Sequence, residues 1–432
     1  MFQIIKKSSK SSARVGIITT PHGEVKTPCF MPIATKGAVK NLTPEELKFL
    51  GADLILGNTY HLWLRPGVKV INKVGGLHKF MNWSGPILTD SGGYQVFSLE
   101  NKVKSQKSKV KNLSQNSKGY KNNSLSLVKI ADRGVEFRDP FDGKTYFLTP
   151  EKAIEIQLKL GSDIIMVLDE CPPYPCTREQ AKKAVHRTTE WARRCKKFFI
   201  KHVTCNLKHE KRPLLFGIIQ GSVYQGLRIK AIRDLLAIGF SAKGGPASGW
   251  DGYAIGGVAV GEPRQYLAKI LKWVIPLLPE DKPCYLMGLG RPEEIVEAVK
   301  LGIDLFDCVI PTREARHGRL YLWKNPKSEI PARHRLTPQA LAGGRNPKKI
   351  RNPKSKNKNW EFYEMINILN SKYKNDSNPI NQTNLKSYSR AYLHHLFKMG
   401  EPLAQRLATL NNLEFYLSLM VNLRQAVKID KI

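Results

Sequence analysis

The chain has 432 residues, with 70 Lys and Arg against 36 Asp and Glu, a formal charge of +34 and 41% hydrophobic residues. That leaves ample length for a hydrophobic core, and the positive excess indicates a polyanionic partner rather than an acidic or neutral surface function. No run approaches the ~20 apolar residues of a membrane span, the start MFQIIKKSSKSSARVG lacks the apolar core of a signal peptide, and seven scattered cysteines form no disulfide framework, so a cytoplasmic protein is expected.

In chain order, apolar runs repeatedly end in functional groups. SGPILTDSGGYQVFSL, residues 84 to 99, closes a strand with Asp90 and continues into Ser91, Gly92, Gly93 and Tyr94. The glycines admit a close ligand or a positive φ, and Tyr94 offers a flat face to a planar group. IIMVLDECPPYP ends in Asp169 and Glu170, LLFGIIQGS in Gln220, Gly221 and Ser222, and DGYAIGGVAVGEP in Gly256, Gly257 and Glu262. PCYLMGLGRP supplies Tyr285, Met287 and Gly288. Last comes LGIDLFDCVIPTREARHG, residues 301 to 318, which places Asp307 at a strand tip with Arg313, Arg316 and His317 beside it. A carboxylate on a rigid strand next to fixed positive charge suits a nucleophile or base acting on an anionic substrate.

One such strand end reads as an ordinary ion pair. Six in succession describe an architecture, because helical patterns such as TREQAKKAVHRTTEWARRCKKFF, YQGLRIKAIRDLLAIG, EPRQYLAKILKWVIPLL and RPEEIVEAVKLG separate the runs. Strand and helix in alternation, with polar groups on most strand ends, predict an α/β fold of the (β/α)8 TIM-barrel type; an open doubly wound sheet gathers its ligand groups at one switch point. The barrel is expected over residues 1 to 323. Residues 101 to 130 are lysine-rich without an acidic residue and are expected as a flexible basic insertion; residues 324 to 359, with GGRNPKKIRNPKSKNKN, are expected as a second. They are either solvated insertions or auxiliary phosphate contacts. Residues 360 to 432, with the apolar stripe in LEFYLSLMVNLRQAV, are expected as a helical C-terminal appendage.

Together DSGGYQVFSL, LDECPPYP, IIQGS, GYAIGGVAVGEP, YLMGLG, FDCVIPTREARHG and SYSRAYLHHLF resemble, in order, the tRNA-guanine transglycosylase family. The resemblance implies a barrel glycosyltransferase that exchanges the wobble guanine of tRNAs with a G-U-N anticodon (Asp, Asn, His, Tyr) for a 7-deazaguanine base. In the bacterial form that base is 7-aminomethyl-7-deazaguanine, the queuosine precursor. Carried onto this sequence, it makes Asp307 the nucleophile and Asp90 the general acid/base, as retention at a glycosidic carbon requires. Tyr94 and Met287 flank the base, while Asp169, Gln220 and the backbone around Gly257 read its edge, with Ser91, Gly92, Val260 and Glu262 in the same pocket. Val260 leaves less room for the cyclopentenediol of queuine than a smaller residue would. Arg313 and Arg316 match positions that contact the anticodon loop. The alternatives are a queuine-using transglycosylase and a catalytically silent tRNA-binding paralogue or subunit; the latter should have lost Asp90 or Asp307.

The family carries a structural zinc on three cysteines and a histidine, and a homodimer contact nearby. At those positions this chain has Ile380, Gln382, Leu385 and Asn411. No metal and no other cofactor is therefore expected, with apolar and amide packing in place of the ion.

Overall fold

A computed structural model describes residues 1–97, 128–204, 212–239, 249–324 and 362–432. Its centre is one parallel sheet whose strands, in spatial order, run Cys29–Met31, Leu305–Asp307, Cys284–Leu286, Gly252–Ile255, Leu214–Ile219, Ile164–Met166, Ile87–Thr89, Ile55–Gly57 and Ile33–Ala34. The two end segments are halves of one strand, split at Pro32. Met31 pairs with Asp307 on one side and Ile33 with Leu56 on the other, so the sheet closes on itself. Proline cannot donate to a ladder, which accounts for the split, yet its carbonyl still accepts from the Leu56 N–H at 3.0 Å. Counting the split strand once gives the eight-stranded barrel expected from the alternation.

The strands are short and buried on both faces, Ile164–Met166 and Cys284–Leu286 throughout, as parallel strands sheathed by helices must be. Local chemistry sets the helices between them. Thr149 caps Pro150–Leu160 by accepting from the Lys152 N–H, Pro150 stands in the first turn, and Gly161 ends the helix at φ 76°. The amino-terminal strands Phe2–Lys7, Arg14–Thr20 and Gly23–Thr27 form an antiparallel sheet. It lies at the end where the barrel strands begin, since Arg14 bonds Asp304, just before strand Leu305–Asp307, and the His22 N–H bonds Asp163, just before Ile164–Met166.

Strand Tyr363–Asn367 pairs antiparallel with Arg319–Trp323, and helix Pro402–Lys428 buries Leu413, Tyr416, Leu419, Met420 and Leu423 in the main core. A second core gathers Ile368, Ile380, Leu385, Leu393, Leu396 and Leu407. Residues 128 to 130 of the basic insertion expected over residues 101 to 130 belong instead to strand Val128–Ala131, which pairs residue by residue with Gly134–Phe137. The rest of that run, and residues 325 to 359 of the second, lie outside the described residues. Among the described residues, no helix is long and apolar enough to cross a membrane.

Candidate active site

The carboxyl ends of the barrel strands bring together most of the residues singled out from sequence. Asp307 closes its strand and is 9% exposed; its Oδ1 accepts from the Tyr285 hydroxyl at 2.6 Å and the Gly288 N–H at 2.7 Å. Both bonds fall on Oδ1, so neither protein donor occupies Oδ2. Burial raises the Asp307 pKa, against the hydrogen bonds from Tyr285 and Gly288. The positive charge expected beside Asp307 does not hold it. Arg313 and Arg316 lie on the following helix, Ile310–Arg316, where Arg313 is exposed beside Glu314 and Arg316 donates to the Thr312 carbonyl at 3.0 Å. Among the described residues neither arginine forms an ion pair with Asp307, and neutral donors position the carboxylate.

Asp90 follows strand Ile87–Thr89. Its Oδ1 accepts from the Thr59 N–H at 2.9 Å, and Oδ2 from the Asn58 amide at 2.6 Å and the Gln95 amide at 2.8 Å. Burial pushes the carboxyl up to about 7; these hydrogen bonds oppose the shift and the charge of Asp307 adds to it. The charge of Asp307 thus bears on Asp90, and neither carboxylate has a cationic partner among its hydrogen bonds.

Asp169 is buried, accepting from the Gln220 amide at 2.7 Å and the Ser91 hydroxyl at 3.2 Å. Burial raises it to about 6, below neutrality, which leaves it mainly ionised at pH 7. The other amide atom of Gln220, Oε1, is buried without a hydrogen-bond partner. A buried orphan acceptor is costly, and in a binding site it marks the place of a ligand donor. Gln220 lies so close to Gly256 and Gly257 that a Cβ on either would sit 2.5 or 2.6 Å from its amide atoms. Glycine is required at both positions, and at Gly257 also by a φ of +64°.

Around this polar floor, Tyr94 is 52% exposed and Met287 half-buried, with its N–H on the Ile255 carbonyl. Gly92 turns at φ +80° against Tyr60, and the Val260 N–H donates to the Glu262 carboxylate at 3.0 Å. Four contributors escape a reading of the sequence: Gln95, Asn58, Thr59 and Arg228. Asn58 and Thr59 follow strand Ile55–Gly57 in the same layout as the other strand ends, so LILGNTYH holds a usable signal. Arg228, fully buried in helix Gln225–Gly239, gives none, being one basic residue in an ordinary helical pattern.

The four residues expected from the resemblance at zinc-ligand positions have no thiolate or imidazole. Ile380 and Leu385 are buried in the second core, Gln382 is exposed, and Asn411 already donates to the Tyr321 carbonyl at 3.0 Å and accepts from the Asn381 amide at 3.2 Å. His394, nearby, is buried with Nδ1 on the Ile368 carbonyl at 2.7 Å.

A closed parallel barrel with buried carboxylates and amides converging on its carboxyl end defines an enzyme of the (β/α)8 class. The model of the family described as queuine tRNA-ribosyltransferase matches residues 8–117 and 111–432. Proteins named queuine tRNA-ribosyltransferase are similar along their length: that of Desulforudis audaxviator is 41% identical over 435 residues, spanning all of this chain and 95% of its own. That of Caldanaerobacter subterraneus subsp. tengcongensis is 42% identical, spanning all of this chain and 94% of its own, and that of Haemophilus ducreyi 43%, spanning 98% and 92%. This chain belongs to the queuine tRNA-ribosyltransferase family.

Proposed function

We propose that this protein is a tRNA-guanine transglycosylase, a pentosyltransferase that replaces the wobble guanine of G-U-N anticodon tRNAs with 7-aminomethyl-7-deazaguanine by double displacement. The observation that carries the mechanism is Asp307, fixed at its strand tip with both protein hydrogen bonds on Oδ1 and coupled in charge to Asp90. Oδ2 attacks the anomeric carbon, the bond from that carbon to guanine breaks, and the departing base takes the Asp90 proton. An Asp307–ribose ester on the tRNA results. The incoming base gives a ring N–H proton to Asp90 and attacks the same carbon, and the ester bond breaks to release Asp307. Two inversions retain configuration.

Asp169, mainly ionised at pH 7, accepts the ring N–H and exocyclic amine of a guanine-like edge, and the Gln220 amide complements the carbonyl side of that edge. Tyr94 and Met287 hold the two faces of the base and keep water from the ester, whose hydrolysis would leave an abasic tRNA. Ser91 and Gly92 support that pocket. Val260 and Glu262 bound it on the side where the 7-substituent lies, and Val260 favours the aminomethyl base over queuine. Arg313 and Arg316 meet the anticodon loop, and the +34 charge draws the tRNA in. The same reading carries a homodimer, measurable by sedimentation, and a C-terminal region that folds without zinc.

Labelled guanine, an unmodified tyrosine tRNA transcript and metal-stripped protein test the reading. Incorporation by the wild type and none by Asp307→Asn is the expected result. No incorporation with or without added zinc would transfer support to a silent tRNA-binding protein.

A further inference from the structure

Arg228 is fully buried, and its hydrogen bonds run to main-chain carbonyls alone. Nε donates to Ser222 at 2.9 Å, Nη1 to Ile219 at 2.9 Å and Gly256 at 2.7 Å, and Nη2 to Gly257 at 3.0 Å. Among the described residues no carboxylate forms an ion pair with it. Burial drives its pKa down to about 10, so it still holds its charge at neutral pH. A charged guanidinium buried in this way is expensive unless its planar fork does something that an apolar side chain cannot.

The fork binds together the carboxyl ends of strands Leu214–Ile219 and Gly252–Ile255, the two that present Gln220 and the Gly256–Gly257 pair. In a planar trans peptide the C=O and the next N–H point in opposite directions. Drawing the Gly256 and Gly257 carbonyls onto Arg228 therefore turns the N–H groups of Gly257 and Val258 away from it. Among the described residues neither N–H meets a protein acceptor. Gly257 lies against Oε1 of Gln220, which is itself unpartnered. Arg228 thus stands behind a peptide whose donor is free, beside an acceptor that is free.

We infer that Arg228 is the positioning residue for base recognition, fixing the Gly257 peptide so that its N–H donates to the carbonyl oxygen of a 6-oxopurine-type base. This rests on the transglycosylase reading. Arg228 touches neither base nor tRNA; it sets the direction of the amide that does, and its charge behind that peptide strengthens the N–H as a donor to an oxygen acceptor.

Guanine and 6-thioguanine separate this role from packing, since both keep the ring N–H and the amine while sulfur is a poor acceptor. Dissociation constants for the two bases would be measured on the full chain without tRNA, for wild type, Arg228→Lys and Arg228→Met, with Tm as a fold control. The wild type should prefer guanine, Arg228→Met should lose about tenfold of that preference, and Arg228→Lys should fall between, because one ammonium cannot span four carbonyls. In exchange assays the KM for base should rise while that for tRNA stays within about twofold. An unchanged guanine preference in the variants, even with a lowered Tm, would show that Arg228 only packs the loop and overturn the inference. If Arg228→Met does not fold, Arg228→Lys decides alone by the same ratio. Failure of the wild type to bind either base would instead sink the transglycosylase reading.

Discussion

Asp304 and Asp307 stand at the two ends of the last barrel strand and meet opposite surroundings. At the amino end Asp304 is fully buried and saturated: Arg14 donates Nε to Oδ1 at 3.0 Å and Nη2 to Oδ2 at 2.6 Å, and the Cys284 N–H adds a third bond at 2.7 Å. Asp163, before Ile164–Met166, is similar, taking the Ile87 and His22 N–H groups and both stacked imidazoles, His22 and His78. At the carboxyl end Asp307, Asp90 and Asp169 have neutral donors only; burial raises all three and raises Asp304 as well, so the charged partner, not the direction of the shift, separates the two ends. Asp304, matched by Arg14, and the saturated Asp163 hold the barrel together, while the carboxylates at the other end, with no charged partner among their hydrogen bonds, are available to attack, to carry a proton or to bind a base. The stacked rings of His22 and His78, 3.6 Å apart, cannot both direct lone pairs at one ion, so the amino-end cluster reads as structural rather than as a metal centre.

Removing one carboxylate from each end breaks that comparison most sharply. Asp307→Asn should lower exchange by at least about 10⁴-fold, more than ~5 kcal/mol of transition-state stabilisation, and abolish the covalent tRNA adduct seen on a denaturing gel. Its Tm should hardly change, because the amide still accepts from Tyr285 and Gly288. Arg14→Met should do the reverse. Breaking a buried pair and stranding Asp304 costs about 3–5 kcal/mol, read by urea denaturation, with kcat on the remaining folded protein near wild type. An Arg14 variant as stable as wild type would mean that the amino-end pair does not carry the barrel.

The pH dependence of exchange is a smaller effect with a definite sign. Asp307 must be ionised to attack, and burial has moved its pKa upward, so the rate should rise with pH above the ordinary carboxylate range. Asp90 must be protonated to release guanine, and with a pKa of about 7 its acid form is depleted as pH rises further. The profile for kcat/KM should therefore be bell-shaped with its basic limb near neutrality. A profile that stays flat from pH 6 to 9 would remove Asp90 from the acid role.

Much of this architecture is legible in the amino-acid sequence alone. Apolar runs ending in Asp90, Asp169, Gln220 and Asp307 announce a barrel because parallel strands must be apolar throughout and function collects where they end. How those ends are held is not legible there. Tyr285 and Gly288 reach Asp307 from the neighbouring strand, and Asn58 and Thr59 reach Asp90 from another, through contacts between segments far apart in sequence. The same limit bears on Arg313 and Arg316: adjacency in sequence suggests that their charge holds Asp307, whereas its hydrogen bonds come from Tyr285 and Gly288. Strand Val128–Ala131 is hidden because its β-forming residues continue directly from the lysine-rich run.

The C-terminal region applies the same contrast of matched and unmatched polar groups on a smaller scale. Asn411, which the family resemblance sets at a zinc-ligand position, is saturated: its amide donates to the Tyr321 carbonyl and the Asn412 side chain, and its carbonyl accepts from Asn381, which in turn donates to Glu414 and takes the Leu385 N–H. Ile380 and Leu385 fill the adjoining core, about 1.5–3 kcal/mol each when fully buried. If these contacts stand in for an ion, Asn411→Ala should cost about 1–3 kcal/mol in urea denaturation by stranding the buried Tyr321 carbonyl and the Asn381 amide. Gln382→Ala, at the exposed fourth position, should stay within about 0.5 kcal/mol. A chelator should leave both curves, and that of the wild type, unchanged. A chelator-dependent loss of stability would show that the region binds metal through groups other than these four, and would separate the C-terminal fold from the amide network that Asn411 centres.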